Sequence, residues 1–349
     1  MNRGPHTTPF AIVLATLLSL AMLSGCQALG ATSERTDAEA LTIRYHSGPG
    51  LINHLELADA LGYYDGTGIT LENLGQVAGG PELLRSLATN QSDLAIGPFH
   101  GATARVVSTG VELKAVAATY GSTRKNRQGM EVMTPEDSDI HSARDLIGGS
   151  VAVNTLGANA EAVVDTWLTS EGLSQDEIDK VTLVPLPGIN TEAALRSGKV
   201  DAAVLNGAPK EFALKNGGLR SLAADVDLMG DYNGGSYTLR TSFIDEHRGL
   251  TRTLVAGIAK AIHFEQTHEA AEVQRVMGAW LKDHGRGDEV ESLMNWRGSG
   301  IATPGGVLRD EDFDAWIDWL DAEGQIDVDN IDISDLYTNE FNPYAKRRN

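Results

Sequence analysis

Cysteine is almost absent: Cys26 stands alone in 349 residues. This excludes a disulfide framework and any metal site built on cysteine thiolates. Positive charge is scarce as well. Lys and Arg number 28 against 48 Asp and Glu, a formal net charge of −20, and nucleic acid needs a basic face that this balance does not offer. A small anion is not excluded, because physiological salt screens a distant acidic surface within about 8 Å. Catalytic signatures are missing too. There is no G-x-S-x-G elbow, no H-E-x-x-H, and no G-x-G-x-x-G after a strand. The run HEAAE at 268–272 ends in Glu272 and lacks the second histidine. Asp327, Asp329, Asp332 and Asp335 lack the spacing and turn glycine of a calcium loop. No resident metal or cofactor is expected, and the chain is not expected to be an enzyme.

What is present is organised around residues 79–101, GGPELLRSLATNQSDLAIGPFHG. Pro81 sits at a helix start, where its missing N–H costs nothing. Leu83, Leu84 and Leu87 mark one helical face, broken by the turn residues 89–92. Asp93-Leu94-Ala95-Ile96 reads as a buried parallel strand, and Gly97-Pro98 opens a second helix. The same unit returns at 190–209, NTEAALRSGKVDAAVLNGAP. Two such units predict two similar α/β lobes, with ligand bound beyond the carboxyl ends of their strands.

The N-terminus carries a targeting pattern. Arg3 precedes an apolar run at 10–23 that is too short and wrongly flanked to span a membrane. Leu23-Ser24-Gly25-Cys26 then resembles a bacterial lipobox. The expectation is a lipoprotein signal peptide at 1–25, lipidation of Cys26, and a polar tether at 26–40. Two or more acyl chains anchor a protein stably. Lobe 1 is expected at 41–125 and 236–349 and lobe 2 at 126–235, with polar crossings at 121–129 and 231–236. From Leu250 onward the chain reads as a helical C-terminal extension. Leu254, Ile258 and Ile262, then Val273, Met277 and Trp280, then Phe313, Trp316 and Leu320 recur at helical spacing and are read as core.

The ordered set of local patterns resembles one family. It comprises the lipobox, Thr42-Ile43-Arg44-Tyr45 with the glycine loop at 47–50, and ALGYY at 60–64. It continues with Gly79-Gly80 before the leucine helix, SDLAIG at 92–97, LIGGSVAV at 146–153 and ALRSGKVDA at 194–202. Together they are similar to substrate-binding proteins of ABC importers for nitrate, taurine and aliphatic sulfonates, whose relatives include binders of thiamine pyrimidine precursors. The resemblance covers nearly all of 41–349. It implies a two-lobe periplasmic-binding-protein type II fold. It also implies an extracytoplasmic, membrane-anchored lipoprotein that hands a small solute to permease and ATPase subunits. The expected solute is a small anion, an aliphatic sulfonate, taurine or a nitrate-like ion. A thiamine pyrimidine precursor is the alternative, and a secreted hydrolase stands behind both.

Candidate ligand groups lie just past the expected strand ends. In lobe 1 they are His46, Ser47, Gly79, Gly80, Pro98, Phe99, His100, Tyr120 and Ser122. In lobe 2 they are Asn154, Thr155, Gly157, Asn159, Asn190 and Asn206. The set holds hydroxyls, amides, glycines and two histidines, with no Lys or Arg. Helix starts at Gly80-Pro81 and at 157–159 can hold an anion through backbone N–H groups alone. Phe99 and Tyr120 either flank an apolar ligand body or belong to the core. His46 and His100 either meet the ligand or satisfy local bonds.

Overall fold

The computed structural model describes residues 40–48, 52–77, 79–125 and 128–345. The expected signal peptide, Cys26 and most of the tether lie outside these residues. Ten strands follow in chain order: β1 Leu41–Ser47, β2 Ile69–Gln76, β3 Leu94–Phe99, β4 Leu113–Ser122, β5 Glu131–Pro135, β6 Ser150–Val153, β7 Thr182–Pro185, β8 Ala202–Leu205, β9 Leu219–Ala224 and β10 Tyr232–Arg240.

They form two five-stranded sheets, β2-β1-β3-β10-β4 and β7-β6-β8-β5-β9. In the first, β1 runs parallel to β2 and β3, and β10 runs antiparallel to both of its neighbours. In the second, β6 runs parallel to β7 and β8, and β5 is the antiparallel strand. The two sheets thus share one plan. The strand arriving from the other half, β5 or β10, takes the fourth place against the grain. This is the α/β type II architecture expected above, with the helical C-terminal region in place.

The periodic residues fill the core as read. Ile43 and Tyr45 are buried on β1, and Leu254, Ile258, Ile262, Val273 and Met277 pack over that sheet from the helices Arg248–Thr267 and Ala270–Asp283. Trp316, on the helix Glu311–Ala322, meets Phe99 edge-on at 4.9 Å and Tyr232 at 5.5 Å between ring centroids. Among the described residues, no helix is long and apolar enough to cross a membrane.

Several elements depart from the sequence reading. The helix read at 51–61 is His54–Ala60, because Asn53 caps it by accepting a 2.8 Å bond from the Glu56 N–H. The stretch read as helix at 141–147 shortens to one 3₁₀ turn, Ala143–Leu146, held by a Ser142/Asp145 capping box. The helix Asp225–Met229 was not expected. The second crossing is shorter than its Asn-Gly-Gly turn signal implied. Strand β10 already begins at Tyr232, which pairs with Ser122 of β4. Gly234 and Gly235 serve a close approach there, not a turn. A Cβ on Gly235 would lie 2.3 Å from Cε1 of Tyr120, so the aromatic ring lies directly on this backbone.

Candidate functional site

The parallel strands end on one side of each sheet, and a cavity of about 320 Å³ opens there. Three helix N-termini meet in its wall. They are Gly79-Gly80-Pro81 at the start of Gly80–Ala88, Ala158-Asn159 at the start of Asn159–Ser170, and Asn206-Gly207 at the start of Gly207–Asn216. None of the three has a side-chain hydrogen bond at its cap. Backbone N–H groups at such ends carry partial positive charge and suit an anion.

Ten of the residues singled out from the sequence line this cavity: His46, Ser47, Gly79, Gly80, Phe99, Tyr120, Asn154, Thr155, Asn159 and Asn206. The other five do not. His100 is fully buried on the far side of the wall, stacked on Phe313 at 4.3 Å with Nδ1 bound to the Asp312 carbonyl at 3.0 Å. Burial holds its pKa below the usual histidine value. Pro98 packs behind Gly80. Ser122 turns to Asp225 and the Gln128 carbonyl. Gly157 sits against the Arg105 guanidinium, and its N–H is held by Glu161 at 2.7 Å. Asn190 is exposed on the helix Gly188–Arg196.

Several wall residues carried no signal in the reading above. Thr119 precedes Tyr120 on β4. Asp225, Tyr232 and Tyr237 come from the returning chain. Trp296 and Ser299 come from the C-terminal region. Only the fold brings Ser299 here. Its N–H and hydroxyl bond Glu265 at 2.7 and 2.8 Å, and its carbonyl accepts from the Gly121 N–H at 3.0 Å. The short run Gly230-Asp231 before Tyr232 could have drawn attention to the residues flanking it.

Among the described residues, the wall contains no Lys or Arg and one carboxylate, Asp225. That carboxylate accepts from the Ser122 hydroxyl at 2.7 Å, the Met130 N–H at 2.8 Å and the Tyr232 hydroxyl at 2.8 Å. Burial pushes its pKa up, and these donors partly offset the push. Burial also raises the Tyr120, Tyr232 and Tyr237 phenols, which stay protonated. The Tyr237 hydroxyl accepts from the His54 N–H at 2.7 Å, and the His54 ring pairs in turn with Glu265. His46 reaches Ser86 Oγ at 3.1 Å and the Gly75 carbonyl at 3.3 Å.

Two wall side chains keep unmatched polar atoms. Thr119 Oγ1 is buried without a hydrogen-bond partner. Asn159 is 3% exposed, and neither amide atom makes a well-formed bond, although the amide lies beside the Tyr120 and Tyr232 phenols and lowers both of their pKa values. A buried polar group left unsatisfied costs about 1–3 kcal/mol, so a ligand that bonds these atoms gains by satisfying them. Among the described residues, no cluster of His, Cys, Asp and Glu could hold a metal ion.

The family model described as NMT1/THI5 like matches residues 53–271. No curated protein sequence matches the chain. Among solved structures, the periplasmic aliphatic sulphonate binding protein of Escherichia coli aligns at 19% identity with a TM-score of 0.64, over 89% of this chain and 96% of that one. The periplasmic nitrate-binding protein of Synechocystis PCC 6803 aligns at 13% identity with a TM-score of 0.66, over 86% of each chain. The desulfurization enzyme DSZB aligns at 16% identity with a TM-score of 0.60, over 86% of this chain and 97% of that one. At these identities the likeness is one of fold.

Proposed function

The chain belongs to the NMT1/THI5-like family, and on that premise we propose that it is an extracytoplasmic solute-binding protein that delivers a small anion to an ABC importer. The observation that carries this reading is the meeting of three helix N-termini, none capped by a side chain, in one cavity wall. An aliphatic sulfonate or taurine suits the cavity better than a nitrate-like ion. A single water's share of liquid volume is about 30 Å³, and an ion little larger would leave most of about 320 Å³ unfilled. Phe99, Trp296 and Ile52 offer apolar surface for an organic body. Hydrogen bonds to a charged group contribute about 1.5–3 kcal/mol each. Micromolar affinity needs about 8 kcal/mol, which several such bonds supply after ordering costs.

Binding is favoured over catalysis. A desulfurization enzyme shares the fold, so fold does not decide the matter. Among its described residues the wall holds no cysteine and one carboxylate, which three donors engage, and the serine that meets His46 is buried behind the wall. Cys26 is proposed as the lipid attachment site, tying the protein to the membrane that holds its permease and ATPase.

A thiamine pyrimidine precursor is the second reading. The presence of Asp225 and five aromatic side chains, Phe99, Tyr120, Tyr232, Tyr237 and Trp296, in a wall with no Lys or Arg among its described residues favours it. Calorimetry separates the two, using alkanesulfonates, taurine, nitrate and hydroxymethyl-aminopyrimidine, with each ligand recovered afterwards and checked for change. Sulfonate binding with unchanged ligand is expected. Binding of the pyrimidine with no response to any anion would overturn the anionic reading, and a converted ligand would overturn the binding-protein reading.

A further inference from the structure

Resting on the anionic-solute reading, we infer that the solute is an aromatic sulfonate whose ring, bonded directly to the anionic head, lies on Tyr120. A Cβ on Gly234 would come 2.6 Å from Tyr120 Cε2, and a Cβ on Gly235 would come 2.3 Å from Cε1. Opposite edges of the ring thus rest on two successive residues of β10, and that strand covers one of its faces. The rest of the ring is partly exposed and borders the cavity. It stands between two of the helix starts. On one side Pro98 links it to Gly80: a Cβ on Gly80 would lie 3.5 Å from Pro98 Cα, and a Cβ on Gly235 would lie 2.9 Å from the Pro98 carbonyl oxygen. On the other side, Asn159 Nδ2 would lie 3.1 Å from a Cβ on Gly234. A sulfonate held by these helix starts therefore brings the atoms next to its sulfur against Tyr120.

The neighbouring rings are braced from behind. Trp316 meets Phe99 edge-on at 4.9 Å between centroids, and Gly101 leaves room for Phe99 where a Cβ would come 2.6 Å from Cε1. Tyr232 meets the same indole at 5.5 Å and is tied to Asp225 through its hydroxyl. Tyr237 is tied to the His54 N–H. Walls fixed in this way do not remould around a flexible chain. They favour a flat, rigid body, which gains ring contacts and has no internal rotors to freeze, whereas an alkyl chain of equal carbon number loses that freedom on entry. Size points the same way. Pockets that enclose organic ligands begin at about 300 Å³, and the short body of ethanesulfonate leaves most of about 320 Å³ to water.

The test compares benzenesulfonate, cyclohexanesulfonate and hexanesulfonate, which carry equal numbers of carbons on the same head, with ethanesulfonate as the reference anion. Calorimetry on the wild-type protein in sulfonate-free buffer should rank benzenesulfonate about ten-fold above hexanesulfonate, with cyclohexanesulfonate between them. This ranking needs no variant. Tyr120→Leu, which fills similar space without a ring, should bring benzenesulfonate and cyclohexanesulfonate to within about two-fold of each other, and Tyr120→Phe should restore the gap. A purely structural role for Tyr120 would weaken all the probes equally and leave their ratios intact, which overturns the inference. So do equal wild-type affinities for the ring and chain compounds, or binding of ethanesulfonate alone, and in each case the anionic reading stands. No binding of any sulfonate overturns the anionic reading and the aromatic body with it.

Discussion

The Tyr232 hydroxyl stands 2.8 Å from the Asp225 carboxylate, and through this contact one acidic side chain holds both crossings between the two sheets. Ser122 and Met130, which bracket the first crossing, bond the same carboxylate at 2.7 and 2.8 Å. Tyr232 opens the strand that follows the second crossing. Gly129 permits the arrangement. At φ +144, a Cβ there would lie 2.1 Å from Ser122 Oγ and 2.4 Å from Asp225 Oδ1.

This clasp makes unequal demands on its members. Tyr232→Phe removes one donor from a carboxylate that keeps two, and should cost about 1–3 kcal/mol in urea unfolding. Asp225→Ala strands three buried donors and should cost more than Tyr232→Phe. An Asp225→Ala variant as stable as wild type would mean that the carboxylate contributes nothing to joining the crossings.

Asp165 gives a pH prediction. Its Oδ2 accepts a 3.3 Å bond from Trp319 Nε1, joining the helix Asn159–Ser170 to Glu311–Ala322. Burial first, and Glu161 next, push its carboxyl up to about 7, with Glu323 and Asp179 adding to the effect and Trp319 opposing it. An unfolded aspartate titrates near about 3.9. From roughly pH 4 to pH 7 the folded chain therefore holds a proton that the unfolded chain has released. The contribution of this group to stability is fully present below about pH 4 and is lost as pH rises through 7. Asp165→Asn keeps the neutral form at every pH. Its melting temperature relative to wild type should rise across that window. A difference that stays constant from pH 4 to 7.5 would contradict the raised pKa.

Much of this architecture was legible because it rests on local chemistry. Leu254, Ile258 and Ile262 share a helical face by spacing alone, and the Asp-led apolar runs before Gly97 and Asn206 mark buried strands. Glycines and amides just past those strands reach the cavity because strand direction alone decides which end they occupy. The misses have another origin. His46 lies at the end of β1, whereas His100 follows β3 and starts a helix, where its ring stacks on Phe313, more than two hundred residues later in sequence. Ser299 reaches the wall through pairings with Glu265 and Gly121, the Trp296 carbonyl accepts from the Gln274 side chain at 2.7 Å, and no local pattern encodes either. Asn-Gly-Gly at 233–235 mimics a turn because glycine serves both turns and close packing, and only the Tyr120 ring distinguishes the two uses.

The proposed anchor is tested by fractionation. If Cys26 carries the lipid, Cys26→Ser should move the protein from the membrane fraction to the soluble extracytoplasmic fraction, since the apolar run at 10–23 is too short to hold it there alone. A variant that stays with the membrane in high salt and detergent-free buffer would refute lipidation at that residue.

The contact between Tyr120 and Gly235 should be visible as a coupling. A Cβ at Gly235 would meet Tyr120 at 2.3 Å from Cε1 and 2.8 Å from Cζ, and the Pro98 carbonyl at 2.9 Å. Gly235→Ala therefore forces the ring out or bends β10, and overpacking of this kind costs about 1–3 kcal/mol. Tyr120→Ala removes a large, partly buried aromatic from the wall, for a loss below the roughly 3–5 kcal/mol of a fully buried ring. In the double variant the new methyl occupies space that the ring has vacated, so the two losses should sum to less than their separate values. Residues in contact couple by about 0.5–3 kcal/mol, whereas independent sites add to within about 0.3–0.5 kcal/mol. Urea unfolding of the four proteins measures the coupling directly. Ligand calorimetry on the same set then asks whether the ring matters to binding: Gly235→Ala should weaken the sulfonate by displacing Tyr120 from the wall, and adding Gly235→Ala to Tyr120→Ala should weaken it no further. Additive stabilities would mean that Gly235 is kept for a reason other than the ring above it.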